Sequence, residues 1–487
     1  SGQTGAGFKN PKWSTSTGSI GAFVADNSKF VPPKGMRDWL PQETILRQKL
    51  IRLIESHYQL YGFQPIDTPV MENIEVLQGK GGGENEKLMF RVMKRGEELL
   101  NSGISSLLVG GSPEANLSSL NRNLSDMGLR FDMTVPLARY YGNHANELPR
   151  PFRCYHIGPV WRADRPQKGR FREFYQCDID IVGGSSNSYE VELLLATDRI
   201  LKALDIGKFK IRVSHKDFLP TFLSFVGVLE REQAAKIAVA IDKLDKQSVD
   251  DVLKEIESLK IQDEAFFKIK KFIGECLDNK FDGYNHDSQA IRGIWMSHIG
   301  PIQKGVQEVN PQANVVLDPL LVRGFDYYTG PVFEINVEDK NFNFSIGGGG
   351  RYDKLIEKLG GPINTPAVGL SLGFERILTI LMDKNKSALK NIVSRVFIVN
   401  KTHENGPRHE DASKLAEDLR NHGIQVEVSF EKKDIVKQLI AAQENGFEYA
   451  ITDFVPGKES FKVRQLSNRK DTEMTSEDLK KVLKDQE

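Results

Sequence analysis

The sequence predicts an α+β fold in which a largely antiparallel sheet is interrupted by a block of helices and followed by a small, separate α/β domain. Three observations carry this reading. LRFDMTVPLARYY, FRCYHIGPVWRAD and REFYQCDIDIVGG are rich in aromatic and β-branched residues with alternating polarity, as half-buried strands are. Between residues 207 and 311, AAKIAVAIDKL, VDDVLKEIESLK, EAFFKIKKFIGECL and QAIRGIWMSHIGPIQKGVQE repeat apolar residues at three- and four-residue intervals, the pattern of helices with one buried face. Beyond residue 390, VFIVN, HEDASKLAEDLRNHG, IQVEVSF, DIVKQLIAAQENG and EYAITDF alternate strand with helix. That alternation implies βαβ units on a mostly parallel sheet.

Taken in order, residues 1–31 are Gly-, Ser- and Thr-rich and read as a flexible extension, either an added segment or the remnant of a processed one. Pro41 signals a helix start, and Ile45, Leu46, Leu50, Leu53, Ile54 and Tyr58 keep helical spacing until Gly62 stops it. FQPIDTPVMEN carries two prolines, so it should form an edge or irregular strand. Glycine and polar residues between Glu75 and Ser125, notably GKGGGENE, predict a loop with a short hairpin. Sheet returns with VVLDPLLVRGFDYYTGPVFEINVE and FNFSIGGGGRYDKL, then a glycine-framed helix in PAVGLSLGFERILTILMD. The expected units are a first sheet part over 32–206, a helical insertion over 207–314, a second sheet part over 315–388 and the last domain over 389–487.

Composition narrows the function classes. With 66 basic and 66 acidic side chains, the chain has no net field to draw in a polyanion, and residues 391–487 hold 16 basic against 18 acidic side chains. Nucleic-acid contacts must therefore come from local patches. Cys154, Cys177 and Cys276 lie far apart, which excludes a disulfide framework, shows no zinc-ligand spacing and suits a reducing compartment. No stretch approaches the roughly 20 apolar residues of a membrane span, so no membrane partner is expected.

The densest chemical signal is VWRADRPQKGRFREFYQCDID, where Arg162, Arg165, Lys168, Arg170 and Arg172 fall within eleven positions around a turn at Pro166 and Gly169. On a hairpin, alternate residues share a face, so Arg162 could line one cavity with Arg172, Phe174 and Gln176. Guanidinium groups suit phosphate oxygens, and an aromatic face can stack on a base. A solvated basic hairpin is the competing reading, weakened by Gln176 and Asp180 at presumed interior positions, where polar groups need a reason.

In LVRGFDYYTG, Arg323 sits in apolar and aromatic surroundings and should face either Asp326 or a bound anion. The adjacent Tyr327 and Tyr328 should point to opposite faces. GGGGRYD permits close backbone approach, but no GK[ST] ending follows, which disfavours a P-loop. GLSLGFERIL places Arg376 on a helix after a strand-to-helix turn, either facing a terminal phosphate or exposed beside Glu375.

Together these segments resemble the class II aminoacyl-tRNA synthetases: TPVMEN with its preceding helix is similar to motif 1, WRADRPQKGRFREFYQ to motif 2 and GLSLGFERI to motif 3. LVRGFDYYTG and GGGGRYD resemble the pair of signatures that marks the histidine-specific family. The likeness runs from about Pro33 to the C-terminus. It implies a six- or seven-stranded antiparallel sheet flanked by helices, a homodimer joined through motif 1, and a C-terminal anticodon-binding domain. It implies activation of L-histidine by ATP with Mg2+, then transfer to tRNA(His), in the cytoplasm or an organelle, with no resident metal.

Carried over by that likeness, Arg162 binds the α-phosphate and the activated carboxylate, Arg323 stands opposite it, and Arg376 binds the γ-phosphate. Phe174 stacks on adenine, while Arg170 and Arg172 lie where ATP and the tRNA acceptor end are contacted. Asp132, Thr134 and Gln176 hold the α-ammonium group. Asp180, Tyr327 and Tyr328 surround the imidazole, with Tyr352 bordering the pocket. A catalytically silent, regulatory relative is the alternative, disfavoured because such relatives lose these residues.

Overall fold

The computed structural model describes residues 30–79, 88–102, 123–166, 170–322, 327–339, 341–342, 344–384, 395–399, 409–429 and 434–484. The expected extension over 1–31, the GKGGGENE loop and the PQKG turn fall largely outside the described residues, and Arg323 with Asp326 falls wholly outside them. The first helix, Pro41–Leu60, starts at its proline, and Glu43 reaches back to accept from the Leu40 N–H at 3.1 Å, satisfying a donor the helix end leaves open. It buries Leu50, Ile54 and Tyr58.

The strands of the larger unit are β1 (Gln64–Pro65), β2 (Met71–Asn73), β3 (Arg91–Met93), β4 (Ser125–Leu129), β5 (Phe152–Trp161), β6 (Glu173–Val182), β7 (Phe209–His215), β8 (Val315–Leu317), β9 (Pro331–Val337), β10 (Ser345–Arg351) and β11 (Ala367–Gly373). Eight form the main sheet in the order β1-β5-β6-β11-β10-β9-β7-β8, and β2-β4-β3 form a small one. The six central strands are antiparallel throughout. The two short edge strands, β1 on β5 and β8 on β7, pair in parallel and raise the number above the six or seven expected.

Two expectations change. Of LRFDMTVPLARYY, read as strand, TVPLARYY belongs to the helix Thr134–His144. Pro136 sits in its first turn, where a missing N–H costs nothing, and the Asp132 carboxylate accepts from Val135 N–H at 3.1 Å. Residues 209–215, placed in the helical block, form β7 inside the sheet. The helices follow, from Phe218–Phe225 to Gly300–Val309, and have no core of their own. Phe218, Phe222, Phe272 and Trp295 belong to the same buried cluster as Ile179, Ile211 and Phe333 of the sheet, because one face of the sheet supplies the apolar surface that these amphipathic helices need.

The C-terminal sheet runs β13-β12-β14-β15-β16, with β12 (Arg395–Ile398), β13 (Gln425–Val428), β14 (Tyr449–Phe454), β15 (Ser460–Gln465) and β16 (Lys470–Thr475). The first three pair in parallel, as expected. An antiparallel hairpin, β15–β16, extends them, and its Lys462, Arg464, Asp471 and Glu473 disguise it as a charged loop in the sequence. Helices Ile435–Glu444 on one face and His409–Asn421 with Ser476–Lys484 on the other give this domain two cores of its own.

Candidate active site

The larger apolar core occupies one face of the main sheet, and a cavity of about 270 Å³ shares the other with a smaller apolar cluster that includes Tyr327, Tyr328 and Tyr352. Alternation along β6 decides which side chains meet it. Tyr175, Cys177, Ile179 and Ile181 turn to the core, while Phe174, Gln176, Asp178 and Asp180 turn to the cavity. β11 lies antiparallel to β6 with Gly369 opposite Asp180, Ser371 opposite Asp178 and Gly373 opposite Gln176. Glycine is required here: a Cβ on Gly369 would lie 1.8 Å from Asp180 Oδ1, and one on Gly349 of β10 would lie 2.0 Å from the Gly369 carbonyl oxygen. The glycine run thus makes room for the two inward carboxyls of β6 and a ligand on one face.

The register gives the cavity a direction. Asp180 stands four positions along β6 from Gln176, about 13 Å at the usual strand rise, so the two are well apart along the cavity. Around Asp180 lie Tyr352, whose hydroxyl donates to Asp180 Oδ1 at 2.6 Å, and Tyr327, whose hydroxyl donates to Asp132 Oδ2 at 3.4 Å. Tyr327 and Tyr328 are not in a strand and do not diverge. Their rings meet edge-on at 5.0 Å, and both line the cavity. Asp132 and Asp180 are 2% and 3% exposed. Burial pushes Asp132 up to about 6 and Asp180 up to about 7, against the opposing pull of their hydrogen bonds.

At the other end Arg162, just beyond β5, donates to the Phe131 carbonyl oxygen at 2.9 Å and to Gln176 Oε1 at 3.4 Å, and lies 5.0 Å from the Phe174 ring centroid. Arg376, on the helix Phe374–Lys384, donates to the Ser345 carbonyl oxygen and covers Phe344. It does not pair with Glu375, which binds Arg47 at 2.8 Å and accepts from Tyr175 N–H at 2.8 Å. Arg170 pairs with Asp164 at 2.8 Å on the rim. Thr134 is also in the lining. Arg172 is the exception among the described site residues: its stem packs against Gly35, its Nε donates to the Asp164 carbonyl oxygen at 3.0 Å, and it is not part of the lining.

The residues sequence reasoning passed over are Asp178, Ser371, Glu375 and Asp164, all in the lining. Asp178 carried a signal, standing at the middle of the alternation between Gln176 and Asp180. Among the described residues no group of three or more His, Cys, Asp or Glu side chains is arranged to hold a metal ion.

Comparison with known proteins finds a family for the chain. The family model described as histidyl-tRNA synthetase matches residues 119–377, and that of an anticodon binding domain matches residues 395–486. A histidine–tRNA ligase of Flavobacterium johnsoniae is 33% identical over 483 residues, spanning 94% of this chain and 99% of that protein. One of Phocaeicola vulgatus is 39% identical over 359 residues, spanning 72% and 76%. The crystal structure of a histidyl-tRNA synthetase from Nostoc sp. PCC 7120 superposes with a TM-score of 0.74 at 28% identity, over 93% of this chain and 99% of that one.

Proposed function

The chain belongs to the histidyl-tRNA synthetase family, and from that premise we propose that the cavity on β6, β10 and β11 is where histidine and ATP react. The chain is a ligase that joins histidine to tRNA using ATP. The observation that carries the placement of the site is its polarity, with buried carboxyls and tyrosine hydroxyls at one end and guanidinium groups at the other. An amino acid with a cationic ammonium group and a hydrogen-bonding ring fits the first end, and a polyphosphate fits the second.

The roles follow from the chemistry. A histidine carboxylate oxygen attacks the α-phosphorus of ATP, the bond to pyrophosphate breaks, and a mixed anhydride forms. Negative charge grows on the α-phosphate oxygens, where the fixed Arg162 guanidinium stabilises it without reorganising. Arg376 meets the γ-phosphate, Arg170 the nucleotide at the rim, and Phe174 the adenine face. Asp132, Gln176 and Thr134 receive the α-ammonium. Asp180, with Tyr352, Tyr327 and Tyr328, selects an imidazole over apolar side chains of similar size, because its ring carries one donor and one acceptor. In the second step a terminal ribose hydroxyl of tRNA attacks the carbonyl carbon and AMP leaves.

Mg2+ belongs to this reading as the counter-ion that arrives with the triphosphate and keeps several of its own waters. Of the carboxylates that line the cavity, Glu375 and Asp164 are committed to Arg47 and Arg170, so they do not fit a resident metal site. A homodimer through the segment resembling motif 1 is supported by apolar side chains left exposed there, Val70, Met71 and Met93 at 40%, 46% and 61%. A cytoplasmic setting accords with three free thiols and with no helix among the described residues long and apolar enough to cross a membrane. The test is pyrophosphate exchange with a panel of amino acids. Exchange only with histidine is expected, and exchange with none, or equally with others, refutes the assignment.

A further inference from the structure

Asp178 is 3% exposed and lines the cavity, yet the reaction as derived above gives it no part. A buried carboxyl on a strand is costly unless something requires it, and among the described residues no salt bridge includes it. Its bonds show what it holds. Gln176 Nε2 donates to Ser371 Oγ at 2.8 Å and to Asp178 Oδ1 at 3.3 Å, and Ser371 stands directly opposite Asp178 on β11. The remaining atom of the amide, Gln176 Oε1, accepts from Arg162 at 3.4 Å.

The amide's direction is set by its partners. A guanidinium only donates, so the amide oxygen belongs on the Arg162 side, and Asp178 Oδ1 accepts from the NH2. Turning the Gln176 amide over would set its NH2 against Arg162 and its oxygen against Asp178. We propose that Asp178 is a positioning residue for histidine activation, holding the Gln176 amide with Ser371 so that its oxygen faces Arg162 and the substrate ammonium group. An amide turned the other way would offer donors to a cation. Asp178 therefore acts on the substrate through Gln176, and it couples the ammonium site to the arginine at the α-phosphate.

This rests on the reading of Gln176 as an acceptor for the α-ammonium. The test is a double-mutant cycle on the full chain, read by histidine-dependent pyrophosphate exchange. Asp178→Ala should raise the KM for histidine about tenfold or more, the scale of one hydrogen bond to a charged group, and leave the KM for ATP within about twofold. Asp178→Asn, whose amide oxygen can still accept from Gln176, should recover most of that loss. With Gln176→Ala already in place, Asp178→Ala should cost less than about twofold more. Equal factors in both backgrounds overturn the proposal and leave the reading of Gln176 intact. An unchanged KM for histidine in Gln176→Ala removes that reading and the proposal with it. If Asp178→Ala does not fold, Ser371→Ala replaces it in the cycle, with the same non-additivity expected and additivity again overturning the proposal.

Discussion

At the cationic end of the cavity, Arg162 and Arg376 are held by carbonyl oxygens and aromatic faces. At the other end, Asp132 and Asp180 are held by tyrosine hydroxyls. Guanidinium groups stay charged at any working pH, so proton uptake plays no part at that end. The carboxyls behave differently. Burial raises both, so at about pH 6 to 7 the ligand-free pocket is partly protonated, and pairing Asp132 with the ammonium group favours loss of its proton. The cationic end offers charges that pH does not change, and at the other binding is coupled to proton release.

The sharpest way to break this comparison is Arg162→Ala. Loss of a preorganised charge at the reacting phosphorus should slow single-turnover adenylate formation by roughly a hundred- to a thousandfold, with tRNA binding little changed, and a normal activation rate refutes its role. Next, Asp180→Ala should raise the KM for histidine about a hundredfold, as expected where a site's polar partner for a ring N–H is lost, and the KM for ATP less than about threefold. Equal losses in both would mean that the two ends are not distinct.

The pH dependence tests the proton account. Asp132 must be ionised to pair with the ammonium, so the KM for histidine should climb up to about tenfold per pH unit as pH falls below about 6. Free histidine titrates in the same range, so the control is Asp132→Asn, which should remove the enzyme's share of that limb; an identical pH profile in the variant would discount Asp132. For stability the sign is opposite. The folded carboxyls bind protons more tightly than the unfolded chain does, so the ligand-free protein should lose stability as pH rises from about 4 to about 7, and thermal melts across that window measure it. The smallest effect should come from Phe174→Ala. Lost stacking on a base is worth about 1–3 kcal/mol, seen as a KM for ATP raised roughly five- to a hundredfold, with histidine unaffected.

The same contrast marks how much of this protein could be read from its chain. Alternation is a local property with period two, so the antiparallel strands and the polar row of β6 were visible in REFYQCDIDIVGG, as was the cation cluster before it. The glycine run announced close packing. The charges on β15–β16 hid a hairpin, and Pro136 hid a helix, because each local pattern fitted two structures until packing chose one. Which strand lies beside which depends on long-range closure, and no local period encodes it. Only the tertiary structure set Ser371 against Asp178 across β11 and β6, bound Glu375 to Arg47 from 328 residues away, turned Arg172 out of the lining, and gathered Tyr327 and Tyr328 into one cavity. The chain alone determined which chemical groups were available and on which strand face they fell. Their order along the cavity, and so its direction, came from the register between strands distant in sequence.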